Sequence, residues 1–345
     1  MIHLAWMGID VSAEWFDACL KGGRGVFRER FPRTPEGCAA CVAWVRSKTR
    51  RRVSACLEPT GGYERLVAEA LREAGIEVSR PDGAAVRRYR ESFGRRAKTD
   101  VLDAGLLADY ARERRPAEWA ALPPEYEELQ SLARHRESLV KGETVWRNRS
   151  RAPVPCEFAQ AQCEAMAQVH RAMREEAEKR MEALVREHPR LHGHLQLVCT
   201  IPGIGPTTAY KILGEIGPPE RHWGPRSLAR AAGLVPLAEC SGKARPKSQT
   251  GPYGNRFLRS ALRMGAATAK RTNPVFHAFA RRVEGNGPKP PNLVTNAVMR
   301  KMIHIVWGVL HHQTPYDPEI VLSQSRLQPI KPELPKRKTR TKPPD

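Results

Sequence analysis

The sequence predicts an α/β domain, then a long helical segment, then a second domain that is mostly helical. Up to Ser79, short apolar runs alternate with glycine-containing turns and amphipathic stretches. After Pro116 apolar residues recur at seven-residue intervals, which is typical of long packed helices. Beyond about residue 190 basic helical stretches dominate. We therefore divide the chain into domain 1–115, helical hairpin or coiled-coil linker 116–190, domain 191–320 and basic tail 321–345.

The first domain begins with three strands that turn residues join into a meander. A helical stretch at 38–45 precedes the fourth strand, and an amphipathic helix through Leu66 and Leu71 precedes the fifth. A closing helix follows, with Thr99 as its N-cap. The expected order is βββαβαβα. The predicted strands are residues 3–10, 15–20, 25–31, 53–57 and 76–79.

Acidic residues stand at the ends of these elements. Asp10 ends the first strand, Glu58 follows the fourth, and Asp100 and Asp103 share one face of the closing helix. If the first and fourth strands are neighbours, a helix laid across them brings the four carboxylates together. Oxygen ligands suit Mg²⁺ or Mn²⁺, and two such ions can clamp both reacting oxygens of a phosphoryl transfer. The alternative is that the two aspartates only complement the helix dipole.

Three motifs carry a family resemblance: Gly-Ile-Asp-Val-Ser at 8–12, Glu-Pro-Thr-Gly-Gly-Tyr at 58–63 and Lys-Thr-Asp-Val-Leu-Asp-Ala at 98–104. As an ordered set they resemble the RuvC-like domain of the IS110/IS1111 family of insertion-sequence transposases. The resemblance implies an RNase H-like fold and metal-dependent strand chemistry. The family's Asp-Glu-Asp-Asp tetrad falls on Asp10, Glu58, Asp100 and Asp103, as catalytic and metal-binding residues.

A formal net charge of +21 on 345 residues indicates a polyanionic partner. An arginine-rich segment lies directly upstream of the proposed metal ligands, where a phosphate backbone would pass. A run of charge is often only a solvated surface, but at this place we favour nucleic-acid contact. The predicted contacts there are Arg87, Arg88, Arg95, Arg96 and Lys98.

The middle segment predicts two long helices, 125–149 and 157–187, separated by prolines. The first has Leu132, Leu139 and Trp146 at heptad spacing. The second has a stripe formed by Met166, Val169, Met173, Ala177 and Leu184. These patterns predict an antiparallel hairpin that separates two functional domains. Packing within one chain and a coiled coil between subunits fit the pattern equally well.

Residues 198–209 predict a helix-hairpin-helix, with a tight Pro-Gly-x-Gly turn between two helices. Glycines permit close approach of the backbone, and free N–H groups at a helix start can hold a phosphate. We therefore predict nucleic-acid contact at Gly203, Gly205 and Thr207. A tight turn without a ligand is the alternative.

Ser241 to Val283 contains ten Lys and Arg residues and no acidic residue. So one-sided a stretch is the strongest polyanion-binding signal in the chain. The nucleic-acid contacts predicted in it are Lys243, Arg245, Lys247, Arg256 and Arg259.

This region resembles the C-terminal transposase domain of the same family in Gly-Leu-Val-Pro at 233–236, Ser-Gly-Lys at 241–243 and Gly-Asn-Arg at 254–256. The family's nucleophilic serine falls on Ser241, whereas without the resemblance Ser241-Gly242 would be an ordinary turn. Tyr253 departs from the family, which usually has a basic residue there. The resemblance further implies a structured guide RNA, DNA of element ends and target as substrate, and a homo-oligomer, a dimer or tetramer.

Several classes of protein are disfavoured. The apolar helix 293–310 contains Arg300 and Lys301, which indicates a core helix and no membrane span. The first residues lack the pattern of a signal peptide. The eight cysteines lack a regular spacing, and Cys38 and Cys41 have no second pair to complete a zinc site. We expect reduced thiols in a cytoplasmic protein.

Three functions remain open from sequence. A serine-using, metal-assisted DNA recombinase predicts a phosphoserine linkage to DNA that keeps the bond energy for rejoining. A metal-dependent nuclease that resolves DNA junctions would use water as nucleophile, with Ser241 structural. A binder without catalysis would need none of the acids. Because all four acids and the serine are present, the recombinase is favoured.

Overall fold

The computed structural model describes residues 4–23, 25–93, 100–153, 156–222, 224–239, 247–250, 254–285 and 290–320, with the backbone alone at 100–102, 236–239 and 247–250. The chain forms two compact units, Met1–Ala121 and Leu122–Asp345.

The first unit is built of strands and helices in alternation. Its elements are β1 (Leu4–Val11), β2 (Trp15–Gly22), β3 (Gly25–Pro32), α1 (Pro35–Lys48), β4 (Arg52–Leu57), α2 (Glu64–Glu73), β5 (Glu77–Ser79), α3 (Gly83–Glu91) and α4 (Asp100–Arg114). The five predicted strands are all present. Helix α3 was not predicted, because its three arginines and low apolar content concealed its helical period.

The sheet has the strand order β3-β2-β1-β4-β5. Strands β1, β2 and β3 pair antiparallel, while β4 is parallel to both β1 and β5. The first and fourth strands are therefore neighbours, as expected from the sequence. This mixed five-stranded sheet is consistent with the RNase H-like fold that the resemblance implies.

Helices cover both faces of the sheet. Residues of α1 and α2 share one core with Met7, Ile9 and other buried side chains of the strands, and α3 and α4 form a second core on the opposite face. Cys38 and Cys41 are buried in the first of these cores. Burial raises the pKa of the Cys41 thiol to about 12, so it is protonated at neutral pH. These cysteines are packing residues, as predicted.

The second unit is mostly helical. Its elements are α5 (Pro124–Arg151), α6 (Glu157–Glu187), α7 (Pro189–Cys199), α8 (Pro206–Ile216), α9 (Pro225–Ala231), β6 (Pro236–Glu239), β7 (Lys247–Thr250), α10 (Arg256–Thr272), α11 (Pro274–Glu284) and α12 (Pro291–His312). Strands β6 and β7 form a small antiparallel sheet that the sequence analysis missed. The prolines at or near the start of most of these helices supply the fixed φ that a first turn needs.

Helices α5 and α6 form the predicted hairpin, but only part of it projects from the unit. At the end of the hairpin away from the α5–α6 connection, Leu129 and Met181 are buried in one core with residues of α7, α8 and α10. Farther along α6, Met166, Val169 and Met173 are 39%, 49% and 49% exposed. The hairpin is therefore part of the second unit's core at its base, where the sequence suggested a separate linker at 116–190.

Helix α12 is the one helix of the described ranges with the length and composition to cross a membrane. Half of its most apolar window is buried inside the protein, including Val298, Met302 and Val306. It packs in the same core as α10. It is a core helix, and no membrane protein is indicated.

Two histidines of the second unit, the buried His194 and the partly buried His222, are expected to make it sensitive to acid. His194 contacts Tyr126 (Nδ1 to the hydroxyl, 2.6 Å), and His222 contacts the carbonyl oxygen of Ile216 through Nε2 at 2.8 Å. Desolvation lowers the pKa of both imidazoles below the ordinary 6.5, and the nearby Arg190 and Arg221 act in the same direction.

We expect the free energy of unfolding to fall as the pH falls from about 7 to 5. Below pH 6.5 the unfolded chain binds protons that the imidazoles of the folded chain do not bind. The free energy of unfolding therefore falls by up to about 1.4 kcal/mol per pH unit for each of these histidines. Thermal melting across this range measures the effect, and His194→Gln should flatten it. A melting temperature that is constant or rises towards pH 5 would contradict this expectation.

Candidate active site and nucleic-acid interface

Strand register places Asp10 beside Glu58. The parallel pairing of β1 with β4 ends at Ile9 opposite Leu57, so the next residue of each strand is an acid. Because side chains alternate along a strand, Asp10 shares a face with Gly8, and Glu58 shares it with Cys56. Cys56 belongs to the core beneath α3 and α4. Two acids distant in sequence therefore lie on the face that α4 covers.

Gly8 allows α4 to lie directly on the sheet. A Cβ atom at this position would overlap the carbonyl oxygen of Ala104 and the amide nitrogen of Ala108, and would lie 2.8 Å from Cβ of Leu107. Only glycine permits this contact between a strand and a helix backbone. The contact holds Asp103, adjacent to Ala104, against β1, the strand that carries Asp10.

Arg90 joins two of the predicted metal ligands. Its guanidinium reaches from α3 to Glu58 (Nη2 to Oε2, 3.5 Å) and to Asp103 (Nε to Oδ1, 3.3 Å). The Asp103 side chain is only 8% exposed, so its charge needs a partner inside the protein. Asp103 and Glu58 thus share one cation. The sequence analysis did not assign Arg90 to the site.

A further acid, Asp17, lies opposite Asp10 in the β1–β2 pairing. It was missed because nothing near it in sequence marks it. Its carboxylate accepts two hydrogen bonds from Arg30, each 2.9 Å long, on β3. This bidentate ion pair satisfies Asp17 within the sheet, which indicates a structural role.

The donor set is composed of carboxylate oxygens, which fits a hard cation such as Mg²⁺ or Mn²⁺. In the described part of the chain, no three His, Cys, Asp or Glu side chains lie close enough to hold a metal ion. Asp100 is the first residue of α4, but its side chain is outside the described set. The assignment of Asp10, Glu58, Asp100 and Asp103 as ligands stays a prediction.

The predicted nucleic-acid contacts fall in several places. Arg87 and Arg88 are exposed on α3, the helix that also supplies Arg90. Lys247 lies in β7, where only the backbone is described. Ser241 and the contacts Arg95, Arg96, Lys98, Lys243 and Arg245 lie outside the described residues, as does the basic tail 321–345.

The helix-hairpin-helix glycines have different surroundings. Gly203 has φ +86°, and a Cβ there would overlap the carbonyl oxygen of Gly265 and lie 2.8 Å from the amide nitrogen of Ala269. This glycine is required by packing of the turn against α10. Gly205 and Thr207 are exposed at the start of α8, whose N-cap has no side-chain hydrogen bond. Of the three, these two are the better placed for a phosphate.

Two predicted contacts lie on α10. Arg256 is exposed, and its guanidinium lies 4.8 Å from the ring centre of Phe257. Arg259 is half-buried and donates a hydrogen bond to the carbonyl oxygen of Ala232 at 3.2 Å. Desolvation lowers the Arg259 pKa. Arg256 is therefore the more accessible of the two to a phosphate.

A partly buried network that sequence analysis missed fixes the start of α10. The Asn255 side chain accepts hydrogen bonds from the amides of Phe257 and Leu258 and donates one of 2.6 Å to Glu215. Glu215, 3% exposed, also accepts two hydrogen bonds from Arg134, of 2.7 and 2.8 Å. The network joins α5, α8 and α10, so it holds the basic helix against the hairpin.

We expect Asn255→Ala to lower the free energy of unfolding by about 1–2 kcal/mol, because the helix cap and one partner of Glu215 are lost. Aspartate caps helices as well as asparagine does, but Asn255→Asp would place a second carboxylate against Glu215. Asn255→Asp should therefore lower the free energy of unfolding at least as much as Asn255→Ala does. Adding Glu215→Gln to Asn255→Asp should restore part of that loss. Denaturant unfolding measures all three variants. Full stability of Asn255→Asp alone would refute this account of the network.

Known proteins resemble this chain over different lengths. The pilin gene-inverting protein of Moraxella bovis is 27% identical over 319 residues, which cover 91% of this chain and 98% of that protein. A probable family 20 transposase of Pseudomonas aeruginosa is 28% identical over 141 residues, covering 40% of this chain and 42% of that protein. A 42 kDa protein of insertion element IS900 from Mycobacterium paratuberculosis is 27% identical over 143 residues, 40% of this chain and 34% of that protein.

Two family models match successive parts of the chain. The model of the IS110 DEDD transposases, described as transposase, matches residues 7–155, which include Asp10, Glu58, Asp100 and Asp103. The model described as transposase of the IS116/IS110/IS902 family matches residues 195–281, which include Ser241. The first match suggests dependence on a divalent metal. Because both matches name one kind of transposase in the expected order, the chain belongs to the IS110 family of transposases and is a DNA recombinase.

Proposed function

We propose that this recombinase cleaves and rejoins DNA strands at the ends of an insertion sequence through a phosphoserine linkage at Ser241. The observation that carries the proposal is twofold: Asp10 and Glu58 follow paired residues of neighbouring strands on the face covered by α4, and Arg90 lies within ion-pair distance of both Glu58 and Asp103. Carboxylates gathered around one cation in a strongly basic protein suit phosphodiester chemistry.

The metal would be held by Asp10, Glu58, Asp100 and Asp103. When bound, a divalent ion supplies Lewis-acid polarisation of a phosphate oxygen. The protein's own contribution is rigidity: β1 and β4 fix Asp10 and Glu58 side by side, and the Gly8 contact fixes the height of α4 above them. Such preorganisation removes the cost of arranging charges during the reaction.

The Ser241 Oγ–P bond forms while the P–O bond to the departing strand breaks, and the serine hydroxyl proton passes to a base as the departing oxygen is protonated. Rejoining reverses these changes with the hydroxyl of a new strand, so no external energy source is needed. Ser241 lies between β6 and β7 in sequence, and both strands belong to the second unit.

DNA and a structured guide RNA are the proposed partners. Exposed Arg87 and Arg88 on α3, Arg256 on α10 and the free start of α8 support contact with phosphates. The name of the Moraxella relative indicates inversion of a gene, which is also an exchange of DNA strands. The RNA rests on the family resemblance.

The exposed stripe on α6 supports a homo-oligomer, proposed as a dimer or tetramer. Met166, Val169 and Met173 have the three- and four-residue spacing of a coiled-coil seam and are each at least 39% exposed. Covering such a stripe with a second copy removes apolar surface from water. A molar mass in solution that equals one chain would contradict this part of the proposal.

A plasmid assay tests the proposed function. Wild-type protein, its guide RNA gene and a plasmid with both element ends should give recombined junctions that PCR detects. Ser241→Ala and Asp10→Asn should each abolish these junctions. Recombination that persists in Ser241→Ala would refute the serine linkage. Nicking that persists in Ser241→Ala but stops in Asp10→Asn would favour the metal-dependent nuclease, which needs only the carboxylates of the first unit.

A further inference from the structure

A cleft of about 660 Å³ lies between the β2–β3 turn and the connection from α1 to β4. Its walls are polar backbone and side chains together with Leu20, Phe27 and the small residues Gly22 and Gly23. The cations that line it, all exposed, are Arg46, Lys48, Arg50 and Arg51. They were not singled out by the sequence analysis. Four cations within six residues of chain give the cleft a strong positive potential.

In the described part of the chain, acidic side chains do not neutralise the charges in this cleft. Within the ranges that the structure describes, none of the four side chains forms an ion pair, whereas the neighbouring Arg52 pairs with Glu77. Arg46 donates a long hydrogen bond of 3.4 Å to the carbonyl oxygen of Ala74, and Lys48 lies 5.6 Å from the ring centre of Phe27. Uncompensated like charges gathered in one cleft indicate a site for an anion from outside.

The cleft is distinct from the carboxylate site. Arg52, next to Arg51, pairs with Leu4 at the start of β1, whereas Asp10 lies six residues farther along the same strand. At about 3.3 Å per residue the two places are roughly 20 Å apart. One phosphate cannot contact both, so a nucleic acid at the cleft is held several nucleotides from the scissile bond or belongs to another strand.

We propose that this cleft binds the sugar–phosphate backbone of a nucleic acid away from the point of strand cleavage. A lone small anion would leave most of the four charges unmatched, whereas a strand carries one phosphate per nucleotide. The proposal rests on the proposed function only in taking nucleic acid as the ligand. It requires neither Ser241 nor a metal.

The test compares Arg50→Gln/Arg51→Gln with the control Arg171→Gln/Arg180→Gln, whose arginines are exposed but paired with Glu175, Glu128 and Glu187. Fluorescence anisotropy with a labelled stem–loop RNA and a labelled DNA duplex gives affinity at several salt concentrations. The cleft variant should bind about tenfold more weakly, with a salt slope smaller by about 2. If the cleft variant loses affinity for only one of the two probes, that probe identifies whether the cleft binds RNA or DNA. Unchanged affinity and slope for both probes, or an equal loss in the control, would overturn the proposal.

A separate observation concerns Arg90. Its Nε atom is buried and forms no hydrogen bond within the described residues, although it lies 3.3 Å from Asp103. The guanidinium is therefore held by charge more than by directional hydrogen bonds. It is also 23% exposed, so it has room to move towards solvent.

We infer that Arg90 is a positioning residue that holds Glu58 and Asp103 before metal binding and competes with the metal for them. A guanidinium between two carboxylates reduces their repulsion, but it also repels a divalent ion that approaches the same oxygens. Metal binding would then release Arg90 from these carboxylates on a helix that also carries Arg87 and Arg88.

Isothermal titration with Mn²⁺, without DNA, tests the inference. Arg90→Gln should bind Mn²⁺ about tenfold more tightly than wild type and melt at a lower temperature in EDTA. Arg87→Gln removes an exposed charge from the same helix without touching either carboxylate, and should change the affinity much less. Unchanged or weaker Mn²⁺ binding in Arg90→Gln would overturn the role of Arg90. Absence of Mn²⁺ binding in the wild type would overturn the metal site and this inference together.

Discussion

Asp103→Asn should leave the first unit folded and lower the rate of DNA strand cleavage by about a thousandfold. The substitution keeps the shape of the side chain but removes a charge that is 8% exposed and lies 3.3 Å from Arg90. A catalytic metal contributes several kcal/mol to stabilising the transition state, and about 1.36 kcal/mol corresponds to a factor of ten in rate. Single-turnover cleavage of labelled DNA measures the loss, and circular dichroism checks the fold.

Asp109→Asn is the matched control. Asp109 lies on the same helix and forms ion pairs with Lys21 at 2.6 Å and Arg112 at 3.2 Å, neither of which involves Glu58 or Arg90. We expect its cleavage rate to remain within about threefold of wild type, because neither of its ion pairs includes a predicted metal ligand or Arg90. Equal losses in Asp103→Asn and Asp109→Asn would mean that the helix, and not the carboxylate site, limits cleavage.

Gly8→Ala should destabilise the first unit by about 3 kcal/mol or more and abolish cleavage. The new methyl group would overlap backbone atoms of Ala104 and Ala108, which cannot move without shifting the whole of α4. That shift would draw Asp103 away from Glu58 and Asp10. Denaturant unfolding, followed by a cleavage assay on the folded fraction, separates loss of stability from loss of the site.

Gly105→Ala tests the same helix with the opposite expectation. A Cβ at Gly105 would meet Arg28 at 3.8 Å and Cys19 at 3.9 Å, which are ordinary contacts. Because alanine favours a helix interior over glycine, this variant should be more stable by about 0.5–1 kcal/mol. If Gly8→Ala were tolerated as well as Gly105→Ala, the close packing of α4 on β1 would be incorrect.

The strands and most of the helices were predictable because their signals are local. The alternation of apolar residues, together with the turn residues, predicted all five strands of the first unit to within about two residues. The expected order of elements also predicted that β1 and β4 are adjacent in the sheet. Helix α3 was missed because its polar composition resembles a loop. The apolar stripe on α6 does not show in sequence which of its residues are covered by other parts of the protein: Leu184 is buried, but Met173 is exposed.

The acids of the site were predictable as motifs, but their cation was not. Asp10 and Glu58 stand at strand ends that the sequence marks, whereas Arg90 is one arginine among several in its segment. Only the packing of α3 beside α4 shows which of them reaches Glu58 and Asp103. The Arg134–Glu215–Asn255 network is likewise invisible in sequence, because its members are 81 and 40 residues apart. Gly203 stays a predicted phosphate contact, and the structure adds a second requirement for glycine there, its packing against Gly265.

A search for protein-linked DNA tests directly whether Ser241 forms a covalent linkage to the DNA strand. Purified protein with its bound nucleic acid is incubated with Mg²⁺ and DNA that spans an element junction, and the products are resolved on a denaturing gel. We expect an adduct that both Ser241→Ala and Asp10→Ala abolish, because the proposed linkage needs the serine as nucleophile and the carboxylates as metal ligands. Nicked DNA without any adduct, or an adduct that survives Ser241→Ala, would contradict it.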